Sequence, residues 1–217
     1  MNKRNIWLVI VPVILFIMLA ICVKAGITAN FESWTYSEAV KKMSPALTSI
    51  VKGITHMGDS VVIIALCLLF IIIPKSRKTI ALPVSITVIL SSILNVILKN
   101  IFARERPDIL RLINETSYSF PSGHAMNNGA FYTMLILLIF KYIKDKRVRY
   151  TLSALCGILV ISIGYSRIYL GVHYADDVLG GWLIGFSVAI LVYYIFGNRL
   201  SSRKDPKEKS IKSFNDI

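Results

Sequence analysis

Charged residues are scarce in this chain, and acidic ones are the scarcest. Only 17% of the 217 residues are charged, 55% are hydrophobic, and the mean hydropathy is +0.63. A soluble domain of this length normally carries more charge, so the composition argues against one and favours a membrane protein. Twelve acidic residues against 25 Lys and Arg give a net charge of +13. Because the basic residues cluster in short runs between apolar segments, we predict a lipid bilayer as their partner and no nucleic acid.

Cysteine is also rare, and long polar stretches are nearly absent. Cys22, Cys67 and Cys156 all lie in apolar runs, which argues against a disulfide framework or a zinc site and favours small buried side chains. The chain has no internal repeat. Its one low-complexity stretch is the polar, charged segment 201–217, which we predict to be a disordered cytoplasmic tail.

Long apolar runs dominate what remains. A spanning helix needs about 20 apolar residues, and six segments approach that length: residues 5–23, 57–74, 79–98, 125–140, 150–166 and 178–198. We therefore predict an all-α fold, an integral membrane bundle of six transmembrane helices that forms one domain over residues 1–200. The first run favours an uncleaved anchor, with a cleavable secretory signal as the alternative, since a signal core would have only about 7–15 apolar residues.

The distribution of Lys and Arg predicts the orientation of the bundle. With the N-terminus in the cytoplasm, most basic residues fall on the inner side, in agreement with the positive-inside rule. Both termini are then cytoplasmic, and the protein is a multi-pass protein of the cell membrane. Five of the basic residues on the outer side fall in two loops that carry candidate site residues.

The outer segment 29–57 has helical periodicity, because apolar residues recur between Tyr36 and Met57 at alternating steps of four and three. Ser44-Pro45 predicts a break and a new helix start. We expect two amphipathic helices on the outer interface between the first and second spans, with Trp34 as an interfacial anchor. They could simply cover the bundle or could shape lateral entry for a lipid, and the periodicity favours neither.

Three polar clusters lie at the predicted outer ends of spans. They are Lys99 with Arg106-Pro107, then Pro121-Ser122-Gly123-His124, then Ser166-Arg167 followed by His173 and Asp177. Lys99, Arg106 and Arg167 supply fixed positive charge, and arginine matches the geometry of phosphate oxygens. Ser122 fits a helix N-cap, and Gly123 allows close approach to the backbone amides that bind anions. Charge beside hydrocarbon is costly, so the clusters predict an anionic ligand or a wet pocket.

The histidines suit phosphoryl transfer. His173 and Asp177 are four residues apart, so if the sixth helix begins by His173 the carboxylate can orient the imidazole and stabilise its cation. The other ring nitrogen could attack phosphorus, and His124 could protonate the departing alkoxide. Each element also has a simpler interpretation: Ser122 as a cap, Asp177 as a complement to the helix dipole, and His56 as an interface residue without a nearby carboxylate partner in the sequence.

Taken together, the three clusters resemble the three motifs of the type 2 phosphatidic acid phosphatase superfamily, and particularly its bacterial phosphatidylglycerophosphatase B-like and undecaprenyl pyrophosphate phosphatase-like branches. The motifs span residues 99–177 without a departure. The resemblance implies a phosphoric ester or diphosphate hydrolase of a bacterial membrane, with no metal and no cofactor. The implied catalytic residues are His173 as nucleophile, His124 as acid and Asp177 as the partner of His173. The implied phosphate-binding residues are Lys99, Arg106, Ser122, Gly123 and Arg167.

The resemblance implies a membrane lipid phosphate as substrate: phosphatidylglycerol phosphate, undecaprenyl pyrophosphate or phosphatidic acid. Two other function classes stay open at this point. A vanadium haloperoxidase-like enzyme would use a similar anion pocket, but those relatives are soluble. A non-catalytic lipid transporter or scaffold would not need two histidines together with Asp177.

Overall fold

The computed structural model describes residues 3–74, 76–108 and 110–201, and within these ranges it is all-helical with no β-strand. A single π-helical turn, Arg77–Ala81, leads into the fifth helix. The α-helices are α1 (Lys3–Lys24), α2 (Ala29–Lys41), α3 (Pro45–His56), α4 (Ser60–Ile72), α5 (Leu82–Phe102), α6 (Gly123–Tyr142), α7 (Lys146–Tyr169) and α8 (Ala175–Ser201). The predicted all-α class is confirmed. The predicted tail, apart from Ser201, lies outside the described residues.

Within the described ranges, four helical segments are long and apolar enough to cross a membrane: Ile6–Lys24, Arg77–Phe102, Lys146–Tyr169 and Ala175–Phe196. They correspond to the first, third, fifth and sixth predicted spans, and they make the chain a multi-pass membrane protein. The six predicted spans are not all recovered. In place of the second, α4 has only 13 residues and reaches spanning length only together with α3, to which it is bent by 44°. The fourth, α6, has 20 residues, but its first half carries His124, Asn127 and Asn128.

The segment between α1 and α4 forms two helices with a break where the sequence predicts it. Pro45 begins α3, and the hydroxyl of Ser44 accepts a hydrogen bond from the backbone N–H of Leu47 at 3.2 Å. Val51 of α3 packs in an apolar cluster with Tyr169 at the end of α7. Contacts with α7 thus hold α3 over the turn that follows α7, while Trp34 of α2 is 60% exposed.

The bundle is centred on α6, which packs against α5, α7 and α8. The approach of α8 to α6 depends on glycine: a Cβ on Gly185 would lie 2.4 Å from the carbonyl oxygen of Met126, and one on Gly181 would lie 2.7 Å from that of Ser122. This spacing brings the first turns of α6 and α8 together. All three cysteines, each inside the described ranges, are free; two are buried in the bundle and Cys22 is partly exposed.

Three phenylalanines attach α1 to the segment that precedes α6. The ring of Phe16 on α1 stacks on Phe120 with centroids 5.4 Å apart, and Phe102 at the end of α5 meets Phe120 edge-on at 5.0 Å. Phe120 has no exposed surface. Aromatic pairs with this geometry contribute about 0.5–1.5 kcal/mol beyond the burial of their area, so the chain directly before Pro121 is firmly anchored.

Candidate active site

The end of α5 and the loop after it bring Lys99 and Arg106 together. The helix stops because Ala103 adopts a left-handed conformation (φ 44°), with its N–H bonded to the carbonyl oxygen of Lys99 at 2.9 Å. The ammonium of Lys99 donates to the hydroxyl of Ser117 at 3.0 Å and to the carbonyl oxygen of Tyr118. Arg106 donates through Nε to the carbonyl oxygen of Ser117 at 2.6 Å. Both cations are therefore fixed by the same stretch of loop.

His173 lies in the turn between α7 and α8, where the backbone N–H groups of Val172 and His173 both donate to the carbonyl oxygen of Arg167. The helix does not begin by His173, the condition set for its contact with Asp177, because α8 begins at Ala175. The imidazole nevertheless meets Asp177, with Nδ1 and Oδ2 3.3 Å apart. The reason is that Asp177 reaches back from the first turn of α8 and accepts the N–H of Tyr174 at 2.8 Å, as an acidic residue of a capping box does.

The second ring nitrogen of His173 faces a cation. Nη1 of Arg106 donates to Nε2 at 3.2 Å. A guanidinium can only donate, so Nε2 is the unprotonated nitrogen and the ring proton lies on Nδ1, toward Asp177. Burial lowers the pKa of His173 to about 3, and the contact with Asp177 offsets this only in part. The imidazole is therefore neutral at neutral pH and keeps a lone pair on Nε2, as a nucleophile requires.

Two further side chains, which the sequence analysis missed, support the carboxylate of Asp177. Ser119 donates its hydroxyl to Oδ2 and lies 3.3 Å from Nδ1 of His173. Arg104 donates to Oδ1 at 2.7 Å and, with its other terminal nitrogen, to Glu32 of α2 at 2.6 Å. The guanidinium of Arg104 also lies 4.2 Å above the ring of Tyr174. The ion triad of Asp177, Arg104 and Glu32 therefore connects α2 to the carboxylate that contacts His173.

Arg167 is almost completely buried and points toward the same region from α7. It donates through Nη1 to the hydroxyl of Thr55 on α3 at 2.8 Å and forms an ion pair with Glu115. The other oxygen of Glu115 lies 3.8 Å from Nη2 of Arg106. Burial alone would raise the pKa of Glu115, but Arg167 and Arg106 hold that pKa below its ordinary value. A carboxylate therefore lies among the cations that were predicted to bind phosphate.

His124 also has a carboxylate partner that the sequence analysis missed. Its Nε2 lies 2.9 Å from Oδ1 of Asp59, the residue before α4, and Oδ2 of Asp59 lies 2.8 Å from Nδ1 of His56. The statement that His56 has no carboxylate partner nearby is therefore wrong. On α6, the hydroxyl of Ser122 accepts the N–H of Ala125 at 3.4 Å, which makes it the predicted helix cap.

One cavity of about 350 Å³ collects the candidate residues. Five of the predicted residues line it: Lys99, Arg106, Gly123, His124 and His173. The remaining three, Ser122, Arg167 and Asp177, are buried beside it. Arg167 pairs with Glu115 and Asp177 pairs with His173, and both of these partners line the cavity. Within the described ranges, no group of three His, Cys, Asp or Glu side chains is close enough to hold a metal ion.

Comparison with known proteins gives the family. Residues 80–201, more than half of the chain, match the model of the PAP2 superfamily. This chain belongs to the PAP2 superfamily. It is 33% identical over 188 residues to phosphatidylglycerophosphatase B of Bacillus subtilis, covering 82% of this chain and 89% of the relative. It is 27% identical over 207 residues to undecaprenyl-diphosphatase of Sulfolobus acidocaldarius, covering 88% and 91%.

A solved PAP2 structure has the same architecture. The crystal structure of the transmembrane PAP2-type phosphatidylglycerolphosphate phosphatase from Bacillus subtilis superposes with a TM-score of 0.81 at 27% identity, covering 88% of this chain and 97% of the other. PAP2 phosphatases of this kind are phosphoric ester hydrolases, and this PAP2 chain is a membrane hydrolase of that class.

Proposed function

We propose that this chain is a metal-independent lipid phosphate phosphatase that works through a phosphohistidine intermediate. The observation that carries the proposal is the state of His173, which is neutral and buried, with Nδ1 held at Asp177 and Nε2 turned toward Arg106. His124 and Lys99 line the same cavity. A nucleophile, a second histidine and fixed cations around one cavity are the parts that phosphoryl transfer needs.

In the first step, the lone pair on Nε2 of His173 attacks phosphorus. The bond from phosphorus to the lipid oxygen breaks, its electron pair stays on that oxygen, and His124 in its imidazolium form supplies the proton. Asp177 stabilises the positive charge that develops on His173. In the second step, water attacks phosphorus and gives its proton to His124, and the electron pair of the N–P bond returns to Nε2.

Charge on the transferring phosphoryl group is stabilised by the cations and backbone amides around the cavity. The residues that we assign to this role are Lys99, Arg106, Ser122, Gly123 and Arg167. Because Glu115 is paired with Arg167, a substrate phosphate has to take over that guanidinium from the carboxylate. The substrate is a phosphomonoester or pyrophosphate of a membrane lipid. The names of the relatives support phosphatidylglycerol phosphate and undecaprenyl pyrophosphate, and phosphatidic acid carries the same group.

For the membrane arrangement, we propose six crossings: α1, the α3–α4 pair, α5, α6, α7 and α8. The termini, including the tail 201–217, are cytoplasmic and the site faces outward, in a bacterial cell membrane. Lys99 in the last turn of α5, His124 in the first turn of α6 and His173 between α7 and α8 lie at the same end of the bundle. The basic residues of the connecting loops favour this orientation. The segment 29–57 then covers the site on the outer side. Impermeant thiol reagents should label Arg111→Cys and should not label Lys146→Cys in intact cells; the reverse pattern would invert the orientation.

The mechanism is tested with His173→Gln, purified in detergent and assayed in EDTA on the three lipid phosphates. We expect wild-type enzyme to release phosphate in EDTA and to form an acid-labile, base-stable phosphoprotein after rapid quenching, and the variant to do neither. Its unfolding temperature, measured alongside, checks that the bundle is intact. Turnover by the variant at the wild-type rate, or loss of wild-type turnover in EDTA, would remove the mechanism. The ratio of kcat/KM values across the three lipids ranks the substrates.

A further inference from the structure

The corner between α3 and α4 carries an aspartate whose side chain does not cap the helix that follows it. Asp59 is the N-cap residue of α4, where an aspartate ordinarily accepts a hydrogen bond from the first turn of the helix. Within the described part of the chain its side chain makes no such bond. Oδ1 instead meets Nε2 of His124 at 2.9 Å, and Oδ2 meets Nδ1 of His56 at 2.8 Å.

Asp145 gives the comparison within the same chain. It is the N-cap residue of α7 and accepts the N–H of Val148 at 2.9 Å, as expected for this position. A bond of this kind normally stabilises the start of a helix. The carboxylate of Asp59 forgoes that bond to α4 and lies between two imidazoles, one of which lines the cavity.

Packing fixes the distance between this corner and His124. The side-chain amide of Asn128 on α6 donates to the carbonyl oxygens of both Gly58 and His124, each at 2.9 Å. Gly58 has no room for a side chain, because a Cβ would lie 2.6 Å from Ile163 on α7 and 2.9 Å from the amide of Asn128. Asp59 is therefore held against α6 by its neighbours as well as by its own hydrogen bonds.

We propose that Asp59 is a positioning residue for His124: it holds Nε2, stabilises the imidazolium and leaves Nδ1–H to donate to the departing lipid oxygen. The proposal rests on the proposed function. As phosphorus bonds to His173, the P–O bond breaks, oxygen keeps the electron pair, and the Nδ1 proton of His124 moves to that oxygen. The later attack of water returns a proton to Nδ1, so the carboxylate of Asp59 stays ionised throughout.

The proposal requires opposite charge states of the two histidines, a neutral His173 and a protonated His124. His173 is buried, and its carboxylate is shared with Arg104 and Ser119, which favours the neutral ring. His124 keeps 20% of its side chain exposed and faces a carboxylate whose only other partner in the described structure is His56. Burial and the nearby Arg167 of α7 oppose the imidazolium of His124, whereas Asp59 and Glu115 of the loop before α6 favour it.

The test compares Asp59→Asn with wild type on two substrates, an alkyl lipid phosphate and an aryl phosphate with an acidic phenol as leaving group. Rapid-quench single turnovers measure release of the alcohol or phenol, which isolates the first step. An acidic phenol leaves without protonation, whereas an alkoxide needs the acid. We expect Asp59→Asn to slow alkyl release by about 10²-fold, since general acid catalysis contributes about 10²–10⁴-fold, and to leave the rate of phenol release close to wild type.

The pH profile gives a second readout that a merely structural role would not move. In Asp59→Asn, the basic limb of kcat/KM for the alkyl substrate should shift to lower pH, because no carboxylate stabilises the imidazolium. Asp145→Asn is the matched control and should leave both release rates and the pH profile unchanged. Equal slowing of both substrates by Asp59→Asn, loss of phenol release, or no effect on either would overturn the proposal. His173→Gln, assayed in parallel, separates failure of the proposal for Asp59 from failure of the proposed function. If His173→Gln still releases the phenol in a single turnover, the proposed function itself fails.

Discussion

The ion triad at Arg104 allows a sharp prediction. Arg104→Met keeps an unbranched stem like the aliphatic part of arginine. It removes both ion pairs, to Asp177 at 2.7 Å and to Glu32 at 2.6 Å, as well as the contact with Tyr174. Asp177 has no exposed surface and cannot regain water. Removing one partner of a buried pair costs about 3–5 kcal/mol. Because 17% of the Arg104 side chain and 12% of that of Glu32 are exposed, we expect the lower end, about 3 kcal/mol.

For a chain of this length, that loss lowers the unfolding temperature by about 6–12 °C. The assay is thermal unfolding of the purified protein in detergent, followed by intrinsic fluorescence, together with phosphate release. We expect kcat to fall by about 10²-fold, because Asp177 loses the group that fixes its Oδ1 and so orients His173 less well. Arg147→Met, at an exposed position in the first turn of α7, is the control and should change neither quantity. A change in unfolding temperature no larger than that of the control would refute the energetic role of the triad.

Three further perturbations have definite outcomes. Ser119→Ala removes a hydrogen bond to a buried carboxylate, worth about 1.5–3 kcal/mol, and should lower kcat by about 10- to 100-fold with little change in KM, measured by phosphate release. Glu115→Gln removes the charge that competes for Arg167 and should tighten inhibition by orthovanadate by about tenfold; weaker inhibition would contradict that competition. Gly185→Ala, whose Cβ would meet backbone at 2.4 Å, should destabilise the α6–α8 contact by about 1–3 kcal/mol in thermal unfolding, whereas Gly157→Ala, with nothing within 4 Å among the described residues, should not destabilise the protein.

Local sequence signals predicted the features that depend on neighbouring residues. Ser44-Pro45 marks a helix start, and Ser122 marks another, because capping is determined within a few residues. The three clusters also predicted which side chains come together, since each lies at the end of a long apolar run on the same side of the bundle. His173 and Asp177 meet as expected, although the helix begins after the histidine and the contact comes from a carboxylate that reaches back.

Contacts between segments that are distant in the chain could not be predicted in this way, because no local sequence pattern indicates them. Arg104 lies within a basic motif, and nothing in the spacing indicates that it pairs with Glu32, 72 residues earlier. Asp59 was overlooked because it lies inside a run interpreted as the second span, whereas the chain turns there and starts a new helix. Only four of the six predicted spans are single long apolar helices for a related reason: hydrophobic length does not reveal the bend between α3 and α4, nor that α6 carries polar side chains buried in the bundle.

The phenylalanine contact between α1 and the loop before α6 limits how small a working version of this protein can be. The family-defining region, residues 80–201, contains Phe102 and Phe120 but not Phe16. A fragment trimmed to that region would expose the rings of Phe102 and Phe120 and leave the segment that leads into His124 without the support of Phe16. We therefore expect the minimal catalytic unit to include the first helix, even though none of the described side chains of that helix lines the cavity that holds the histidines.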